Sequence, residues 1–272
     1  MQYEPIKNSL RKFFSGPLFM RKALYILLDV LLLRTWHMKN ALRKFSSQMP
    51  GEATVLDAGS GFGQYSWRMC RMNNGWKIDA IDINNDQIDD CTRFFAKSGL
   101  SDRVKFRTGD LTLLKSQDSY DLILSVDVME HIEDDVLVFK NFYNALKDNG
   151  ILLISTPSDK GGSDAHNSDD KSFIDEHVRN GYSINDITEK LSMTGFSDIR
   201  AVYTYGKPGN LSWRLSMKYP VKMLNTSFLF FILLPFYYLI IFPVSIILNI
   251  FDLCLTHKTG TGLLVSASKI KS

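Results

Sequence analysis

The strongest constraint on the fold is an apolar strand that runs directly into a glycine-rich turn. Residues 55–63 read Val-Leu-Asp-Ala-Gly-Ser-Gly-Phe-Gly, a helical pattern follows, and a second strand ends in Ile81-Asp82. Glycines let the backbone turn tightly and approach a ligand closely, because they carry no Cβ. An acidic side chain at the end of the next strand can accept hydrogen bonds from ribose hydroxyls. This pattern predicts a nucleoside-containing cofactor at the carboxyl edge of a parallel sheet.

The spacing of the glycines indicates which cofactor is bound. A dinucleotide site requires G-x-G-x-x-G, and Gln64 stands where the third glycine would be, which disfavours an oxidoreductase. The chain instead has D-x-G-x-G-x-G, with Asp57 two residues before Gly59. This turn resembles motif I of the class I S-adenosylmethionine (SAM)-dependent methyltransferases, and the resemblance extends over about residues 52–206 and 259–270. It implies SAM as the cofactor.

The resemblance also implies a role for several individual residues. In the family the acid before the glycines, here Asp57, lies near the methionine end of the cofactor, and the acid ending the second strand, Asp82, binds the ribose. Asp110, after the third strand, corresponds to the acid that meets the adenine amine, and Asp127 begins the stretch facing the reactive end. The predicted cofactor-binding residues are Asp57, Gly59, Ser60, Gly61, Gly63, Gln64, Asp82, Ile83, Asp110, Leu111 and Asp127.

The order of the predicted elements gives the rest of the core. Strand patterns at 77–82, 104–106, 120–126 and 151–155 alternate with helical patterns at 84–97 and about 134–147. Such alternation predicts an α/β fold with a Rossmann-like, doubly wound sheet. The resemblance implies seven strands, mostly parallel, in which an antiparallel last strand at 262–267 lies beside a sixth strand at 198–205.

Four parts are predicted along the chain. They are N-terminal basic and apolar helices at 1–50, the SAM-binding core at 51–206, a hydrophobic insertion at 207–258, and the final strand and tail at 259–272. Through residue 50, nine basic side chains outnumber two acidic ones, and the apolar run 23–33 lies between basic pairs. A helix of this type suits a surface of anionic lipids. Packing across the mouth of the core is an equally open alternative.

The second apolar segment, Phe228 to Phe251, has 24 residues, carries no charge and contains Pro235 and Pro243. Its length suits a transmembrane helix. However, it lies between two strands expected to be sheet neighbours, so it must leave and return on one side of the membrane. We expect either a helical hairpin, broken near the prolines, that dips into one leaflet, or a lid over the substrate pocket. Three basic and two aromatic residues within 213–222 favour membrane contact.

Histidines are the candidate catalytic residues, because transfer to an oxygen acceptor requires removal of its proton near neutral pH. His131 follows the fourth strand at the ligand-binding edge, and His177 lies in a stretch that resembles a segment bordering the acceptor pocket in a subset of the family. Structural roles stay open for both. His131 could support the cofactor site, and His177 could hydrogen-bond to the preceding loop. The sequence contains no set of residues with metal-ligand spacing, so no metal is predicted.

The predicted function is SAM-dependent methylation of a small hydrophobic or lipid-like acceptor at the membrane surface, at oxygen rather than nitrogen or carbon. Three scattered cysteines favour a reducing compartment, so we expect a peripheral or monotopic enzyme on the cytoplasmic face. The alternatives are a non-catalytic SAM-binding membrane scaffold and an RNA methyltransferase. Nucleic acid is not expected as a partner, because leucines rather than stacking aromatics separate the N-terminal basic residues. The sequence indicates no oligomeric state.

Overall fold

The computed structural model describes residues 17–161, 178–227 and 229–270. Its centre is a sheet of seven strands: β1 (Thr54–Ala58), β2 (Lys77–Asp82), β3 (Val104–Thr108), β4 (Tyr120–Val126), β5 (Leu146–Pro157), β6 (Ser197–Thr204) and β7 (Gly262–Ser268). The strand order is β3-β2-β1-β4-β5-β7-β6. Strands β1 to β5 pair in parallel, and β7 is antiparallel to both of its neighbours. The predicted fold class is therefore confirmed, and β6 and β7 are sheet neighbours as expected.

Nine described helices surround the sheet or extend from it. They are α1 (Leu18–Leu31), α2 (Leu33–Ser46), α3 (Gln64–Met72), α4 (Asn85–Lys97), α5 (Asp135–Ala145), α6 (Ile184–Met193), α7 (Lys207–Trp213), α8 (Tyr219–Thr226) and α9 (Phe230–Cys254). Short 3-10 turns occupy Leu111–Leu113 and Met129–His131, and a π-helical turn, Arg214–Lys218, joins α7 to α8.

Side-chain caps determine where three core helices begin. The side chains of Asn84, Asp134 and Ser183 each accept a hydrogen bond from a backbone N–H in the first turn of α4, α5 and α6, respectively. Helix α5 ends two residues earlier than its pattern predicts. Leu146 takes an extended conformation and pairs with Tyr120 of β4, so this residue opens β5.

The sheet is buried on both faces, as expected for central parallel strands. Leu56 of β1 packs in an apolar cluster with the phenylalanines of α5, whereas Val55 points to the opposite cluster with α4. Helices α1 and α2 contribute Tyr25, Met38 and Leu42 to this second cluster. The N-terminal helices are thus integral to the core.

The insertion between β6 and β7 is a helical hairpin. Helices α7 and α8 form its outgoing arm, and α9 returns along them, with the hydroxyls of Tyr237 and Tyr238 donating to carbonyls of the π-helical turn at 2.6 and 2.7 Å. The expected break near the prolines is wrong, since the arms join between Thr226 and Phe230 and both prolines lie inside α9. Each proline removes one backbone hydrogen bond, and packing against the outgoing arm keeps the helix continuous.

Helix α9 has the reverse of the usual polarity of a surface helix. Its buried residues are Ser245, Asn249 and Asp252, which are all polar. Its exposed residues include Phe231, Ile232, Phe236, Leu239, Ile240, Ile247 and Phe251. Among the described residues, α9 is the one helix long and apolar enough to cross a membrane by length and composition. The mean hydropathy of its most apolar 18-residue stretch is 2.4, and 6% of that stretch is buried.

Candidate functional site

The glycine-rich turn after β1 is held to the end of β2. The amides of Gly59 and Ser60 donate to the Ile81 carbonyl at 2.8 and 2.9 Å, and the Gly61 amide donates to the Asp82 carboxylate at 2.8 Å. Gly59, Gly61 and Gly63 all have left-handed backbone conformations, with φ of 81°, 50° and 73°. Such conformations strain residues that carry a Cβ, which explains the alternating glycines.

The space around two of these glycines differs. A Cβ on Gly59 would lie 2.2 Å from Val128 Cγ2, so packing within the protein excludes it. A Cβ on Gly61 would meet only Gln87 Oε1, at 3.8 Å, and would otherwise point into open space. Gly61 therefore leaves room for a ligand to approach its backbone, which fits the nucleoside cofactor inferred from the sequence.

Asp82 and the residues that follow β2 and β3 lie at the same edge of the sheet. Parallel pairing places the ends of β1, β2 and β3 together, and the Gly109 amide donates to the Asp82 carbonyl at 3.0 Å. The two Asp82 oxygens accept from Gly61 and Asn84, yet each retains capacity for a further donor such as a ribose hydroxyl. Ile83 is exposed at this edge.

Asp110 is exposed and caps a short turn. One of its oxygens accepts hydrogen bonds from the amide and the hydroxyl of Thr112, both at 2.8 Å. The following Leu111 is buried against the α5 side of the core. Neither of these two hydrogen bonds uses the other oxygen of Asp110.

Asp57 is buried within the end of β1, with 3% of its surface exposed. Burial raises the pKa of its carboxyl to about 6, although a 2.6 Å hydrogen bond from the Ser66 hydroxyl opposes that rise. Ser60, within the turn, has a buried hydroxyl for which the described part of the chain offers no hydrogen-bond partner. A nearby cationic group stabilises the ionised form of a buried carboxyl whose pKa is raised. The ammonium end of SAM is compatible with this position.

The N-terminal helices contact the turn directly. The side chains of Arg21 and Tyr25, on α1, both donate to the Phe62 carbonyl, the former at 2.9 Å. The side chain of Gln64 is also bound to α1, because its amide donates to Asp29 at 2.8 Å. Helix α1 thereby fixes the position of the glycine-rich turn.

Asp127 lies at the predicted reactive end, immediately after β4. It has a left-handed backbone with φ of 52°, its amide donates to the Ser155 carbonyl at 2.8 Å, and its carboxylate forms an ion pair with Arg34 of α2. The Arg34 amide in turn donates to the Tyr205 hydroxyl at 2.9 Å. Arg34 therefore links the end of β4 to the end of β6, where the insertion begins.

One of the two candidate catalytic histidines can be located. His131 lies partly buried on the 3-10 turn after β4, next to Glu130, which is almost fully buried and accepts a 3.1 Å hydrogen bond from Thr156. Burial raises the pKa of the Glu130 carboxyl. His177 lies outside the described residues.

Sequence reasoning did not identify a buried polar cluster where the insertion joins the core. Asp252, fully buried near the end of α9, binds the rings of His37 and His257 at 2.9 and 3.1 Å. It also accepts hydrogen bonds from the amides of Tyr205 and Gly209, at 3.2 and 3.0 Å. The only sequence signal was an acid placed directly after the charge-free run.

Comparisons with known proteins agree with the fold. A family model described as "Methyltransferase domain" matches residues 51–195, just over half of the chain. The ubiquinone biosynthesis O-methyltransferase of Pelagibacter ubique is 31% identical over 102 residues, 38% of this chain and 41% of that protein. The malonyl-[acyl-carrier protein] O-methyltransferase 1 of Ilyobacter polytropus is 27% identical over 124 residues, 46% of this chain and 45% of that protein. The chain thus matches less than half the length of these relatives.

A solved structure supports the same architecture. Phosphoethanolamine N-methyltransferase 2 of Haemonchus contortus, in complex with S-adenosyl-L-methionine, superposes with a TM-score of 0.61 at 19% identity, covering 87% of this chain and 53% of that one. At this level of identity the likeness concerns the fold alone. Together with the family match, it confirms the resemblance inferred from the glycine-rich turn. The chain belongs to the class I SAM-dependent methyltransferase family, whose cofactor is SAM.

Proposed function

We propose that this protein transfers a methyl group from SAM to an oxygen atom of a small lipid-like acceptor at the cytoplasmic surface of a membrane. The observation that carries this proposal is the apolar helix α9, whose outer face is exposed and whose polar face is bound to the edge of the sheet that carries the cofactor site. The names of the relatives, which act in ubiquinone biosynthesis and on a malonyl-[acyl-carrier protein], support an oxygen acceptor.

The residues of the chain have separable tasks in this proposal. When bound, SAM would supply a methyl group on its sulfonium: an oxygen lone pair would form a bond to the methyl carbon in line, the carbon–sulfur bond would break, and S-adenosylhomocysteine would leave. Asp82 binds the ribose hydroxyls, Asp110 the adenine amine and Asp57 the ammonium group, so that the donor is held in one orientation. Placing the two reactants in line and excluding water account for most of the catalysis.

His131 or His177 would remove the acceptor proton. His131 follows the strand whose end carries Asp127, and a neutral imidazole is a suitable base near pH 7. The alternative role for His131 is support of the cofactor site through the same turn. Replacing each histidine by alanine separates these roles. A base lowers turnover while SAM affinity is retained, whereas a supporting residue weakens SAM binding itself.

The distribution of apolar and basic residues supports the proposed membrane contact. Phe236 and Ile240 on α9 are 67% and 69% exposed, and α1 exposes Phe19, Ile26 and Leu27. Arg214 and Lys218 lie in the π-helical turn between α7 and α8, and Lys222 lies on α8. Exposed apolar surface beside basic side chains is the composition expected of a protein lying on anionic lipids.

The enzymatic proposal is tested by incubating the protein with methyl-labelled SAM and total lipid of its source, followed by mass analysis of labelled products. We expect label in an amphiphilic molecule, bound through an oxygen. If SAM binds and no lipid becomes labelled, the enzymatic proposal is wrong and the scaffold alternative is favoured.

Membrane contact is tested by flotation with phosphatidylcholine–phosphatidylglycerol vesicles. The wild-type protein should float with the vesicles, and the double variant Phe236→Glu/Ile240→Glu should not. Met193→Glu is a matched control, because Met193 on α6 is 73% exposed and does not belong to the hairpin. Equal flotation of wild type and double variant, or its absence in both, would contradict the proposal.

A further inference from the structure

A narrow slot lies where the N-terminal helices, the end of β6 and the insertion meet. It is lined by Leu31–Leu33, Tyr205, Ser212, Trp213, Ser216 and Asn249. The slot is partly open to solvent, and its volume of about 10 Å³ accommodates one water-sized group such as a hydroxyl. None of these described lining residues carries a charge, so an ionised group would be poorly stabilised there.

Asn249 gives the slot an unpaired hydrogen-bond acceptor. The residue is 2% exposed, and its Oδ1 atom has no hydrogen-bond partner within the described ranges. Buried polar atoms in folded proteins are almost always paired, so each exception requires an explanation. The position is unusual in sequence as well, since Asn249 interrupts an otherwise apolar stretch of α9. An acceptor placed here would be satisfied by a donor group that enters the slot.

Two backbone features converge on the same place. Ser216 belongs to the π-helical turn between α7 and α8, and such turns occur frequently at functional sites. Tyr205 has a left-handed backbone with φ of 54°, although it is not a glycine, and strained residues of this kind cluster at ligand sites. Both features are independent of the unpaired amide oxygen of Asn249.

The slot is connected to the predicted reactive end of the cofactor site. Tyr205 accepts a hydrogen bond from the Arg34 amide at 2.9 Å, and Arg34 forms the ion pair with Asp127. On its other side the slot borders α9, whose outer face is apolar. The slot therefore lies on the buried side of α9 and is linked to Asp127 through Tyr205 and Arg34.

We infer that the slot binds an uncharged hydroxyl group of the methyl acceptor and that Asn249 is a specificity-determining residue. The acceptor would be an amphiphile whose neutral hydroxylated head enters between α1, α7 and α9, while its tail lies along the apolar face of α9. This inference rests on the proposed function, and it adds the substrate class and the residue that selects it.

The test compares two probes that differ in one hydroxyl, 4-hexylphenol and 4-hexylanisole. Their binding is measured by calorimetry on the full chain in phosphatidylcholine nanodiscs, saturated with S-adenosylhomocysteine to prevent turnover. The wild type should bind the phenol about tenfold more tightly, the ratio expected for one hydrogen bond to a buried unpaired acceptor. Asn249→Leu, which removes the acceptor and keeps similar bulk, should abolish this preference.

Ser245→Ala is the matched control. Ser245 lies one turn earlier on the buried face of α9 and also has an unpartnered hydroxyl among the described side chains, but it does not line the slot. Its variant should keep the tenfold preference for the phenol. If Asn249→Leu disturbs folding, seen as loss of S-adenosylhomocysteine binding, Asn249→Ala repeats the test without added bulk.

The failures of the two proposals are distinguishable. A wild-type protein that does not bind S-adenosylhomocysteine refutes the proposed function. A wild-type protein that binds it but shows no preference for the phenol, or a preference that survives in the Asn249 variants, refutes the slot alone. The slot would then hold no more than a structural water molecule.

Discussion

The buried carboxyl of Asp57 makes the pH dependence of stability a direct test of the site. Burial raises its pKa from the ordinary value of 3.8 to about 6 in the folded protein. Between these two pH values the folded state keeps a proton that the unfolded state has lost. The free energy of unfolding contributed by this group is therefore highest below pH 4, falls as the pH rises to about 6, and then stays constant. A difference of about two between the folded and unfolded pKa values corresponds to about 3 kcal/mol.

The perturbation is Asp57→Asn, which removes the charge and keeps an oxygen that can accept from Ser66. Urea unfolding of the wild type and the variant should be followed from pH 4 to pH 7.5. The unfolding free energy of the variant minus that of the wild type should rise by about 3 kcal/mol across pH 4 to 6 and be flat above it. Asp89→Asn, at an exposed position on α4, is the control and should give a flat difference throughout.

The same variant tests the proposed contact with the cofactor. A cationic group beside Asp57 favours the ionised carboxylate, so SAM should bind the wild type more tightly as the pH rises through about 6. Asp57→Asn should bind SAM more weakly and lose this pH dependence. A stability difference that stays flat from pH 4 to 7 would refute the argument from burial. Undiminished SAM affinity in the variant would remove Asp57 from the ammonium site.

Four further variants address the turn, the reactive end and the attachment of the insertion. Gly59→Ala should lower the unfolding free energy by about 1–3 kcal/mol and weaken SAM binding in calorimetry, because its Cβ would lie 2.2 Å from Val128 Cγ2. Gly61→Ala should be less destabilising, because its Cβ would meet no atom closer than 3.8 Å. If Gly61→Ala were the more destabilising of the two, the steric argument would be contradicted. Arg34→Met should change the unfolding free energy by less than about 1 kcal/mol, since the ion pair is partly exposed, yet raise the Kd of SAM about fivefold, and an unchanged Kd would separate this ion pair from the site. Asp252→Asn should lower the unfolding free energy by about 3 kcal/mol, because it leaves buried donors unpaired. An unfolding free energy equal to that of the wild type would refute the anchoring role of this residue.

The parts of the site that the sequence predicted are those determined by short stretches of chain. The glycine-rich turn, Asp82 at the end of β2 and Asp110 after β3 lie where strand ends meet at one edge, so local patterns sufficed to predict the positions of Gly61 and Asp82 in the fold. The cluster around Asp252 could not be predicted in the same way. Its partners come from α2, the start of the insertion and the segment after α9, and only tertiary packing brings them together.

Two further features depended on packing that a sequence pattern does not contain. Pro235 and Pro243 suggested a break, but the contacts of α9 with the outgoing arm outweigh two missing backbone hydrogen bonds. Gln64 was assigned to the cofactor from its place after the glycines. That assignment stays a prediction, whereas the hydrogen bond from its amide to Asp29 of α1 could not be predicted, because only tertiary packing brings the two side chains together.

The insertion is joined to the sheet at both of its ends. Strands β6 and β7 are paired neighbours, so the hairpin starts and finishes at the same sheet edge. Asp252 binds the amides of Tyr205 and Gly209, which ties the end of α9 to the start of the insertion. The hairpin is thus attached to the core at both of its ends. On the proposed function, contact of α9 with lipid would also fix the orientation of the catalytic edge toward the membrane, so that an acceptor could pass from the lipid to the methyl donor without leaving the protein surface.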